Sequence, residues 1–421
     1  MNAWRLGYTL LLYALLPRAI LHLWWRARRQ PEYLEHVAER FGRYDIQVAR
    51  PLIWVHAVSV GETRAAEPLI QALQRQYPRH RILLTHMTPT GRETGATLFG
   101  DSVLRCYLPY DFPFAVGRFL EHFQPSCGIL LETEIWPNLI HACRERGITI
   151  LLVNARLSEK SFRGYTRFST FAATCLRELD GIAAQGGADA ARFKALGAGT
   201  VEVTGNLKFD ITPDAAQLAQ GDAWREQWGR SRPVLLCAST REGEEALLLQ
   251  ALQQIDISNL LTVIAPRHPQ RFDEVAALIE RAGIPYQRRS VNQAIASRTR
   301  IVLGDSMGEM FAYYSACDVA IIGGSLLPFG AQNLIEACAV GRPVIVGPHT
   351  YNFADAIQHA MEAGAAFGVA DATGAIAKAR ELLLNPERAR HSGQAGLDFT
   401  RGHRGATARA LALISRSMPK S

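Results

Sequence analysis

The feature that most constrains the fold is a series of short apolar runs, separated by helical patterns, that occurs twice along the 421 residues. Strands that are apolar throughout and alternate with helices are typical of a parallel sheet covered on both faces. The chain therefore predicts an α/β protein with two doubly wound, Rossmann-like domains. The predicted strands are 52–58, 82–85, 127–131, 148–153 and 181–184 in the first series, and 234–238, 260–265, 300–303, 319–322 and 343–346 in the second.

The spacing of the runs also predicts the domain boundaries. Residues 210–232 are polar and have no strand pattern, so we interpret them as a linker. The linker separates an N-terminal domain, 31–209, from a C-terminal domain, 233–421, whose last helices can pack back on the first domain. Ligands of doubly wound sheets bind beyond the carboxyl ends of the strands, so functional side chains are expected just after the apolar runs.

Residues 1–30 form a separate segment that we expect to contact a membrane. Its apolar run, 6–25, approaches the roughly 20 residues that span a bilayer, but Pro17 and Arg18 interrupt it. A helix in the membrane interface, with Trp24 and Trp25 at headgroup depth, fits this pattern better than a span. A signal peptide and a core helix are the alternatives, and the signal peptide lacks a small-residue cleavage site.

The charge distribution supports an anionic membrane surface as a partner. The chain has 46 basic and 39 acidic residues, a formal net charge of +7. No acidic residue lies in the first thirty, whose basic residues are Arg5, Arg18, Arg26, Arg28 and Arg29. Charge confined to one end favours a membrane over nucleic acid, which we exclude as the main partner.

The cysteine pattern argues against a disulfide-stabilised protein, and the lack of metal-ligand spacings argues against a metalloprotein. The seven cysteines form no Cys-x-x-Cys pair, which predicts reduced core thiols and a protein body in the cytoplasm. No metal-ligand spacing is present, so no metal site is expected.

Four charged residues of the first domain are candidates for chemistry. Glu62 follows the first strand in HAVSVGET, where it could act as a general base or only stabilise a helix start. Glu132 and Glu134 follow a later strand in LLETEIWPN. A strand conformation would point both to one face. The alternative is that Thr133 or Glu134 only caps the helix expected from Trp136. Lys208, in TGNLKFD, suits an anionic leaving group or is a solvated linker lysine.

Three turns of the second domain resemble anion cradles. They are PRHP from Pro266, GDSMGEM from Gly304 and GGSLLPFGAQNLIEA from Gly323. Small residues allow close backbone approach, and a helix is expected after each turn. GDSMG also matches the nucleophile elbow of hydrolases, with Ser306 as the nucleophile. Asp318 or Asp355 and a later histidine such as His349 or His359 could complete the triad, although the duplicated architecture disagrees with a single-sheet hydrolase.

One basic and aromatic segment, residues 156–168, has two interpretations. It interleaves arginines and a lysine with phenylalanine and tyrosine, so it could meet a phosphorylated lipid. It could equally be an amphipathic helix that packs its aromatic side chains inward.

Nine segments, in order, resemble those of the 3-deoxy-D-manno-octulosonic acid (Kdo) transferase family: HAVSVGET, TPTGRET, YLPYDFP, LLETEIWPN, NARLS, TGNLKFD, PRHP, GDSMGEM and GGSLLPFGAQNLIEA. The resemblance implies an α/β glycosyltransferase of GT-B type, with two domains facing a cleft. It implies CMP-Kdo as the donor and the tetra-acylated lipid A precursor as the acceptor, in lipopolysaccharide inner-core biosynthesis. It also implies attachment to the cytoplasmic side of a Gram-negative inner membrane, with no cofactor and no metal.

The resemblance assigns roles to individual residues. It makes Glu62 the proton acceptor, and Glu132 and Lys208 the transition-state stabilisers. The implied CMP-binding residues are Pro266, Arg267, Met307, Gly308, Glu309, Asn333, Leu334, Ile335 and Glu336. Weaker expectations of acceptor or lipid contact concern Ser59, Gly61, Arg156 and Arg163. Gln332 stands where relatives often carry histidine, and its amide can replace one hydrogen bond.

Three alternatives to Kdo transfer remain open at the level of sequence. A two-domain glycosyltransferase or epimerase that uses a UDP-sugar is the nearest in chemistry. A Ser306 hydrolase predicts ester cleavage, and a membrane adaptor predicts lipid binding without turnover.

Overall fold

The structure, a computed structural model, describes residues 3–28, 30–48 and 50–418. Arg29, one of the N-terminal basic residues, lies outside the described residues. The strands are β1 (Leu52–His56), β2 (Arg81–His86), β3 (Val103–Tyr107), β4 (Cys127–Leu131), β5 (Thr149–Ala155), β6 (Gly181–Ala184), β7 (Val201–Val203), β8 (Val234–Thr240), β9 (Leu261–Pro266), β10 (Tyr286–Arg288), β11 (Ile301–Leu303), β12 (Val319–Ile322), β13 (Val344–Val346) and β14 (Ala366–Gly368).

The helices are α1 (Ala3–Ala27), α2 (Val60–Gln76), α3 (Pro89–Phe99), α4 (Pro113–Phe123), α5 (Pro137–Glu145), α6 (Glu159–Thr166), α7 (Ser169–Arg177), α8 (Gly187–Ala195), α9 (Ala215–Trp228), α10 (Glu244–Leu252), α11 (Phe272–Arg281), α12 (Met310–Ala316), α13 (Ile335–Ala339), α14 (Ala354–Glu362), α15 (Ala372–Leu383), α16 (Pro386–His403) and α17 (Ala406–Ser417). Single 3-10 turns lie at Pro31–Leu34, Val37–Phe41, Gly100–Ser102, Leu207–Phe209, Pro269–Arg271 and Arg289–Val291.

The first compact unit comprises residues 1–210 and 403–421. Its strands form a parallel sheet in the order β3-β2-β1-β4-β5-β6-β7. Successive residues of a strand point to opposite faces, so Trp54 packs with Phe119 on one face and Val55 packs with Leu69 on the other. Helices therefore cover both faces, as the continuous apolar runs predicted.

The second compact unit comprises residues 211–402. Its strands form a second parallel sheet in the order β10-β11-β9-β8-β12-β13-β14. Leu235 of β8 and Ile321 of β12 lie in the apolar core, which α10, α11 and α15 also line. Two parallel α/β sheets confirm the predicted fold class.

The four strands that the sequence analysis did not predict are the edges of the two sheets, namely β3, β7, β10 and β14. Most of their residues are only partly buried, whereas β1, β4, β9 and β12 are buried throughout. An edge strand packs against one neighbour only, so it needs no continuous apolar run.

Most of the segment interpreted as a linker is helix α9, which packs in the second unit. Trp224 and Trp228 are buried, and the ring of Trp224 lies 5.0 Å from that of Tyr313 on α12. The polar residues of the segment form the exposed face of this helix. Because they outnumber the two buried tryptophans, the sequence resembled a polar linker.

Helix α17 follows the second unit in sequence but lies in the first unit. Leu413 and Ile414 join the same core as Val55. Asp210, where the chain leaves the first unit, accepts hydrogen bonds from the backbone N–H groups of Gly405 and Thr407 at the start of this helix. The chain therefore passes through the second unit and returns.

Helix α1 is continuous through Pro17 and exposes most of its apolar surface. Trp24 and Trp25 are each about half exposed, and Leu23 and Ala27 are buried against the first unit. By length and composition α1 is apolar enough to cross a membrane, which is weak evidence on its own. Its exposure disagrees with the alternative of a core helix.

All seven cysteines are buried and unbonded, which confirms the prediction of reduced core thiols. Among residues 3–28, 30–48 and 50–418, no group of three or more His, Cys, Asp or Glu side chains is arranged to hold a metal ion.

Candidate active site

Glu62 lies in the first turn of α2, directly after β1, and its side chain folds back on the preceding loop. One carboxylate oxygen accepts a hydrogen bond from the backbone N–H of Val58 at 2.8 Å, and the other accepts one from the Ser59 hydroxyl at 3.0 Å. Ser59 is the N-cap of α2. The residues after β1 thus form a helix start that fixes the orientation of the Glu62 carboxylate.

The surroundings of Glu62 favour a proton acceptor over an idle helix-start carboxylate. Burial, together with the negative charges of Glu132 and Glu134, raises its pKa to about 7, against the opposing hydrogen bonds from Val58 and Ser59. A base whose pKa lies near neutral pH is ionised in part and still holds a proton well when it receives one. Burial and the neighbouring charges therefore outweigh the hydrogen bonds that would lower this pKa.

Glu132 and Lys208 form an ion pair close to Glu62. Lys208 Nζ lies 3.0 Å from Glu132 Oε1, and both side chains are about one-fifth exposed. Asn154, at the end of β5, accepts a hydrogen bond from the backbone N–H of Leu207 at 3.0 Å, which fixes the 3-10 turn that carries Lys208. The first unit therefore brings together the three residues to which the resemblance gave catalytic roles.

The strand conformation predicted for Glu132 and Glu134 is wrong. Strand β4 ends at Leu131, and Glu132 has a positive φ of 56°. Glu132 keeps this left-handed conformation because its N–H donates to Val153 O and its carbonyl accepts from Arg156 N. The two carboxylates are brought near Glu62 by a turn and not by the pleat of a strand.

Glu134 has its own set of contacts in this turn. Its Oε2 accepts a hydrogen bond from Trp136 Nε1 at 2.6 Å and lies 3.8 Å from His56 Nε2. Burial, with help from the charge of Glu132, raises the pKa of Glu134. Burial also lowers the pKa of His56 to about 3, so this imidazole is neutral. Glu134 thus adds a third carboxylate to the site.

The helix after this turn is capped by Asp111, a residue that the sequence analysis did not single out. The Asp111 carboxylate accepts hydrogen bonds from the N–H groups of Asn138 and Leu139, at 3.0 and 2.8 Å. Neither Thr133 nor Glu134 caps α5. Asp111 belongs to the YLPYDFP motif, but a cap supplied from a distant loop has no sequence spacing that would reveal it.

The four weaker acceptor-side candidates have different surroundings. Gly61 is exposed, and a Cβ atom there would meet only the Ser59 hydroxyl, at 4.0 Å. Arg156 follows β5 and is half-buried, with its N–H bonded to Glu132 O. Arg163 is mostly exposed on α6 and pairs with Glu159 at 3.1 Å. Ser59 thus hydrogen-bonds to Glu62, and Arg156 hydrogen-bonds to Glu132.

The aromatic residues around Arg163 divide between the two interpretations of this segment. Phe162 packs against the core of the first unit. Tyr165 and Phe168 are exposed, at 36% and 60%. The segment is therefore amphipathic, as one interpretation predicted, but it leaves two rings on the surface.

The residues implied to bind CMP follow β9, β11 and β12 of the second unit. Pro266 ends β9, and the N–H of Arg267 donates to Thr240 O at 2.9 Å. Met307 is about half exposed, and Gly308 has a positive φ of 80° that suits glycine. These residues lie at the carboxyl ends of their strands, as expected for a ligand site.

Glu309 and Asn333, in the turns that follow β11 and β12, both form hydrogen bonds. Glu309 accepts hydrogen bonds from Arg289 Nη2 at 2.9 Å and from Gln220 Nε2 at 2.6 Å. Asn333 accepts from the N–H of Ile335 at 3.0 Å and donates to Glu336 Oε1 at 3.2 Å. The remaining two implied residues, Leu334 and Ile335, are fully buried, so their side chains serve the core.

A buried carboxylate that the sequence analysis missed fixes the GGSLLPFGAQN loop. Glu244 is fully buried and accepts hydrogen bonds from the N–H groups of Arg241, Gly324 and Leu326, at 2.8, 2.7 and 2.9 Å. The N–H of Gln332 closes the same loop by donating to Gly323 O. Glu244 therefore satisfies loop N–H groups that would otherwise be buried without partners.

The hydrolase alternative finds no support in the surroundings of Ser306. Its hydroxyl lies 2.7 Å from the hydroxyl of Tyr313, and Asp318, one of the two candidate acids, pairs with Arg225 at 3.0 Å. Ser306 and Asp318 thus have partners outside the suggested triad.

Comparison with known proteins connects this site to a family. Residues 35–211 match the family model described as 3-Deoxy-D-manno-octulosonic-acid transferase (kdotransferase), and residues 246–398 match that of Glycosyl transferases group 1. A 3-deoxy-D-manno-octulosonic acid transferase of Bordetella pertussis is 46% identical over 420 residues, which cover 96% of this chain and 97% of the relative. One of Haemophilus influenzae is 38% identical over 418 residues, which cover 98% of each chain.

The solved structures that resemble this chain show its fold. A UDP-GlcNAc 2-epimerase from Neisseria meningitidis bound to UDP-GlcNAc aligns with a TM-score of 0.59 at 15% identity, over 87% of this chain and 100% of that chain. Enzymes that use UDP-sugars therefore share the fold of this chain, so the fold does not distinguish the two families. The sequence identities to the Kdo transferases do. They confirm the resemblance, the GT-B fold class and the expected glycosyltransferase activity. The chain belongs to the 3-deoxy-D-manno-octulosonic acid transferase family.

Proposed function

We propose that the protein transfers Kdo from CMP-Kdo to a hydroxyl group of the tetra-acylated lipid A precursor, with inversion at the anomeric carbon. The observation that carries this proposal is the Glu62 carboxylate, which burial and two neighbouring carboxylates bring to a pKa of about 7. Such a group accepts the proton of the attacking hydroxyl at neutral pH.

The reaction proceeds by a single displacement. The acceptor oxygen forms a bond to the anomeric carbon of Kdo while its proton passes to Glu62. The bond between that carbon and the phosphate oxygen of CMP breaks, and its electron pair leaves with CMP. One displacement at the carbon inverts its configuration.

The ion pair between Glu132 and Lys208 stabilises the two opposite charges that develop during this step. A carboxylate offsets positive charge at an anomeric carbon that resembles an oxocarbenium ion, and an ammonium group offsets negative charge on the departing phosphate. Lys208 Nζ lies 3.0 Å from Glu132 Oε1, so the positive and the negative charge are provided at the same place. Because the leaving group carries a single phosphate, we propose that the reaction needs no metal and no cofactor.

The donor is proposed to bind through the second unit, at the turns that contain Pro266, Arg267, 307–309 and 333–336. The acceptor is proposed to contact the first unit near Gly61 and Arg156, with Arg163 as a weaker lipid contact. Family membership supports Kdo as the transferred sugar, because the relatives are named for it.

The proposed place of action is the cytoplasmic side of a Gram-negative inner membrane, in lipopolysaccharide biosynthesis. The exposed apolar surface of α1 and the arginines near its ends support contact with an anionic membrane. An acceptor with four acyl chains would be reached from that surface.

Mass spectrometry of the acceptor tests the proposal. A detergent-solubilised lipid A precursor is incubated with freshly generated CMP-Kdo and the protein, and released CMP is quantified in parallel. A gain of whole Kdo units with matching CMP release is expected. If folded protein gives no gain while a known Kdo transferase does, the proposal is wrong, and UDP-sugars are tested next.

A further inference from the structure

We infer that Tyr8 and Thr9 on α1, through Asp111 and Asn138, position the turn that carries Glu132 and Glu134. Helix α1 would then be part of the catalytic unit as well as a membrane contact. The inference rests on the proposed function, because that proposal gives the turn its role.

Asp111 and Asn138 form a buried pair at the start of α5. Besides accepting from two N–H groups of α5, Asp111 accepts a hydrogen bond through its carbonyl from Asn138 Nδ2 at 2.7 Å. Asp111 is 3% exposed and Asn138 is 5% exposed. A buried carboxylate with several donors is a rigid attachment, since losing one donor leaves part of its desolvation uncompensated.

Two successive residues of α1 each contact one member of this pair. The Tyr8 hydroxyl donates to Asp111 Oδ2 at 3.0 Å, and the Thr9 hydroxyl donates to Asn138 Oδ1 at 3.2 Å. The ring of Tyr8 also packs 5.8 Å from that of Phe171 on α7. Polar contacts of this kind are unexpected on a helix whose only task is to enter lipid.

Trp136 connects the start of α5 to the carboxylate of Glu134. Trp136 directly precedes α5, and its indole N–H holds Glu134 Oε2 at 2.6 Å. Only residues 132–136 separate the end of β4 from the start of α5. A shift of the first turn of α5 would therefore move Trp136, and with it Glu134 and the charge that it places near Glu62.

The first unit offers a matched pair of substitutions on one helix. Tyr8→Phe removes only the hydroxyl that reaches Asp111. Tyr13→Phe removes the hydroxyl of a tyrosine whose ring packs 5.0 Å from Phe112, and within residues 3–28, 30–48 and 50–418 that hydroxyl has no hydrogen bond. Thr9→Val is a second, independent break of the same attachment.

Two measurements on full-length variants test the inference. Steady-state transfer from CMP-Kdo to the lipid A precursor gives kcat and the KM for CMP-Kdo. Hydrogen–deuterium exchange, followed by mass spectrometry of peptides, gives the protection of residues 131–142 and of strands β5 and β6. The second measurement needs no turnover, so it separates failure of this inference from failure of the proposed function.

We expect Tyr8→Phe to lower kcat about tenfold with an unchanged KM for CMP-Kdo. Exchange should increase in 131–142 and stay constant in β5 and β6, because a local attachment is lost while the sheet is intact. Thr9→Val should act in the same direction, and Tyr13→Phe should match the wild type.

Three results would overturn the inference. One is unchanged exchange in 131–142 in both Tyr8→Phe and Thr9→Val. Another is a uniform increase across the first unit, which would indicate general destabilisation. The third is an equal loss of kcat in Tyr13→Phe, which would assign the effect to the membrane face of α1.

Discussion

At the scale of single residues, the environment of Glu62 decides whether it can take a proton. The sequence placed it after a strand but left open whether the helix dipole or burial controls its pKa. The structure answers this through tertiary contacts, since Glu132 and Glu134 are about seventy positions away in the sequence. Asp111 and Glu244 were missed for the same reason, because each binds N–H groups that only the folded chain brings near.

The first prediction concerns the pH dependence of transfer. Glu62 must be ionised to accept a proton, and its pKa lies at about 7. The value of kcat should therefore fall tenfold for each pH unit below about 7 and level off above it. Stopped-time assays of CMP release between pH 5 and 9, at saturating substrates, measure this profile. A profile that is flat from pH 5 to 8 would contradict the assignment.

The second prediction concerns the ion pair. Lys208→Gln should lower kcat by about 100-fold, because the departing phosphate loses a positive charge. It should also shift the acid limb of the pH profile, the range in which kcat falls as the pH decreases, to higher pH. Glu132 loses the cation 3.0 Å away, so the negative charge of Glu132 raises the pKa of Glu62 more strongly. The double variant Glu132→Gln with Lys208→Gln should return the limb toward lower pH without restoring the rate. A limb that stays at the wild-type pH in both variants would argue against this coupling.

At the scale of elements, the sequence predicted the central strands of both sheets and none of the edges. Fully buried strands such as β4 and β12 are apolar throughout, and their bounds were predicted to the residue. Edge strands such as β7 are partly exposed, so their side chains carry no such signal. Helix α9 was concealed in the same way, since only two of its large side chains are buried deeply.

The third prediction concerns the packing of α16. A Cβ atom on Gly393 would lie 2.1 Å from the backbone oxygen of Gly341, which cannot move without the chain around it. Gly393→Ala should therefore lower the free energy of unfolding of the second unit by about 3 kcal/mol. Gly402→Ala, on the same helix, meets nothing within 4 Å and should stabilise by up to about 1 kcal/mol. Urea titrations compare the two, and equal midpoints would refute this account of the packing.

At the scale of the whole molecule, the chain combines an apolar N-terminal helix that is largely exposed, two parallel α/β units and a return of α17 to the first unit. Nine short motifs spread over both units were enough to indicate the family, and the sequence identities confirmed it. The contacts of α1 could not be predicted, because its sequence is apolar on all sides and conceals the two hydroxyls that meet Asp111 and Asn138.

The fourth prediction concerns binding to membranes. Trp24 and Trp25 are 49% and 51% exposed, and the guanidinium of Arg28 lies 4.0 Å from the centre of the Trp24 ring. Replacing both tryptophans with glutamate should reduce co-sedimentation with vesicles that contain anionic lipid at least about tenfold. Leu384→Glu, an exposed apolar position in the second unit, serves as the control and should bind like the wild type. Equal binding of all three proteins would exclude α1 as the main contact.

The fifth prediction begins with the stability of Glu62→Gln. The pKa of Glu62 is raised on folding, so its carboxyl favours the folded state below about pH 4.5, and this contribution is lost as the pH rises through about 7. A neutral glutamine avoids that loss. At pH 8 the variant should therefore melt at the same temperature as the wild type or higher, and its free energy of unfolding should be larger by about 3 kcal/mol at most.

The rate of Kdo transfer by Glu62→Gln at pH 8 is the most direct test of the central claim, that Glu62 is the base of this reaction. With CMP-Kdo binding and melting temperature retained, the rate should fall by at least about 100-fold. Glu67→Gln, on the same helix, should transfer at the wild-type rate. A Glu62→Gln rate within a few-fold of the wild type, in protein that is folded and saturated with donor, would contradict the claim.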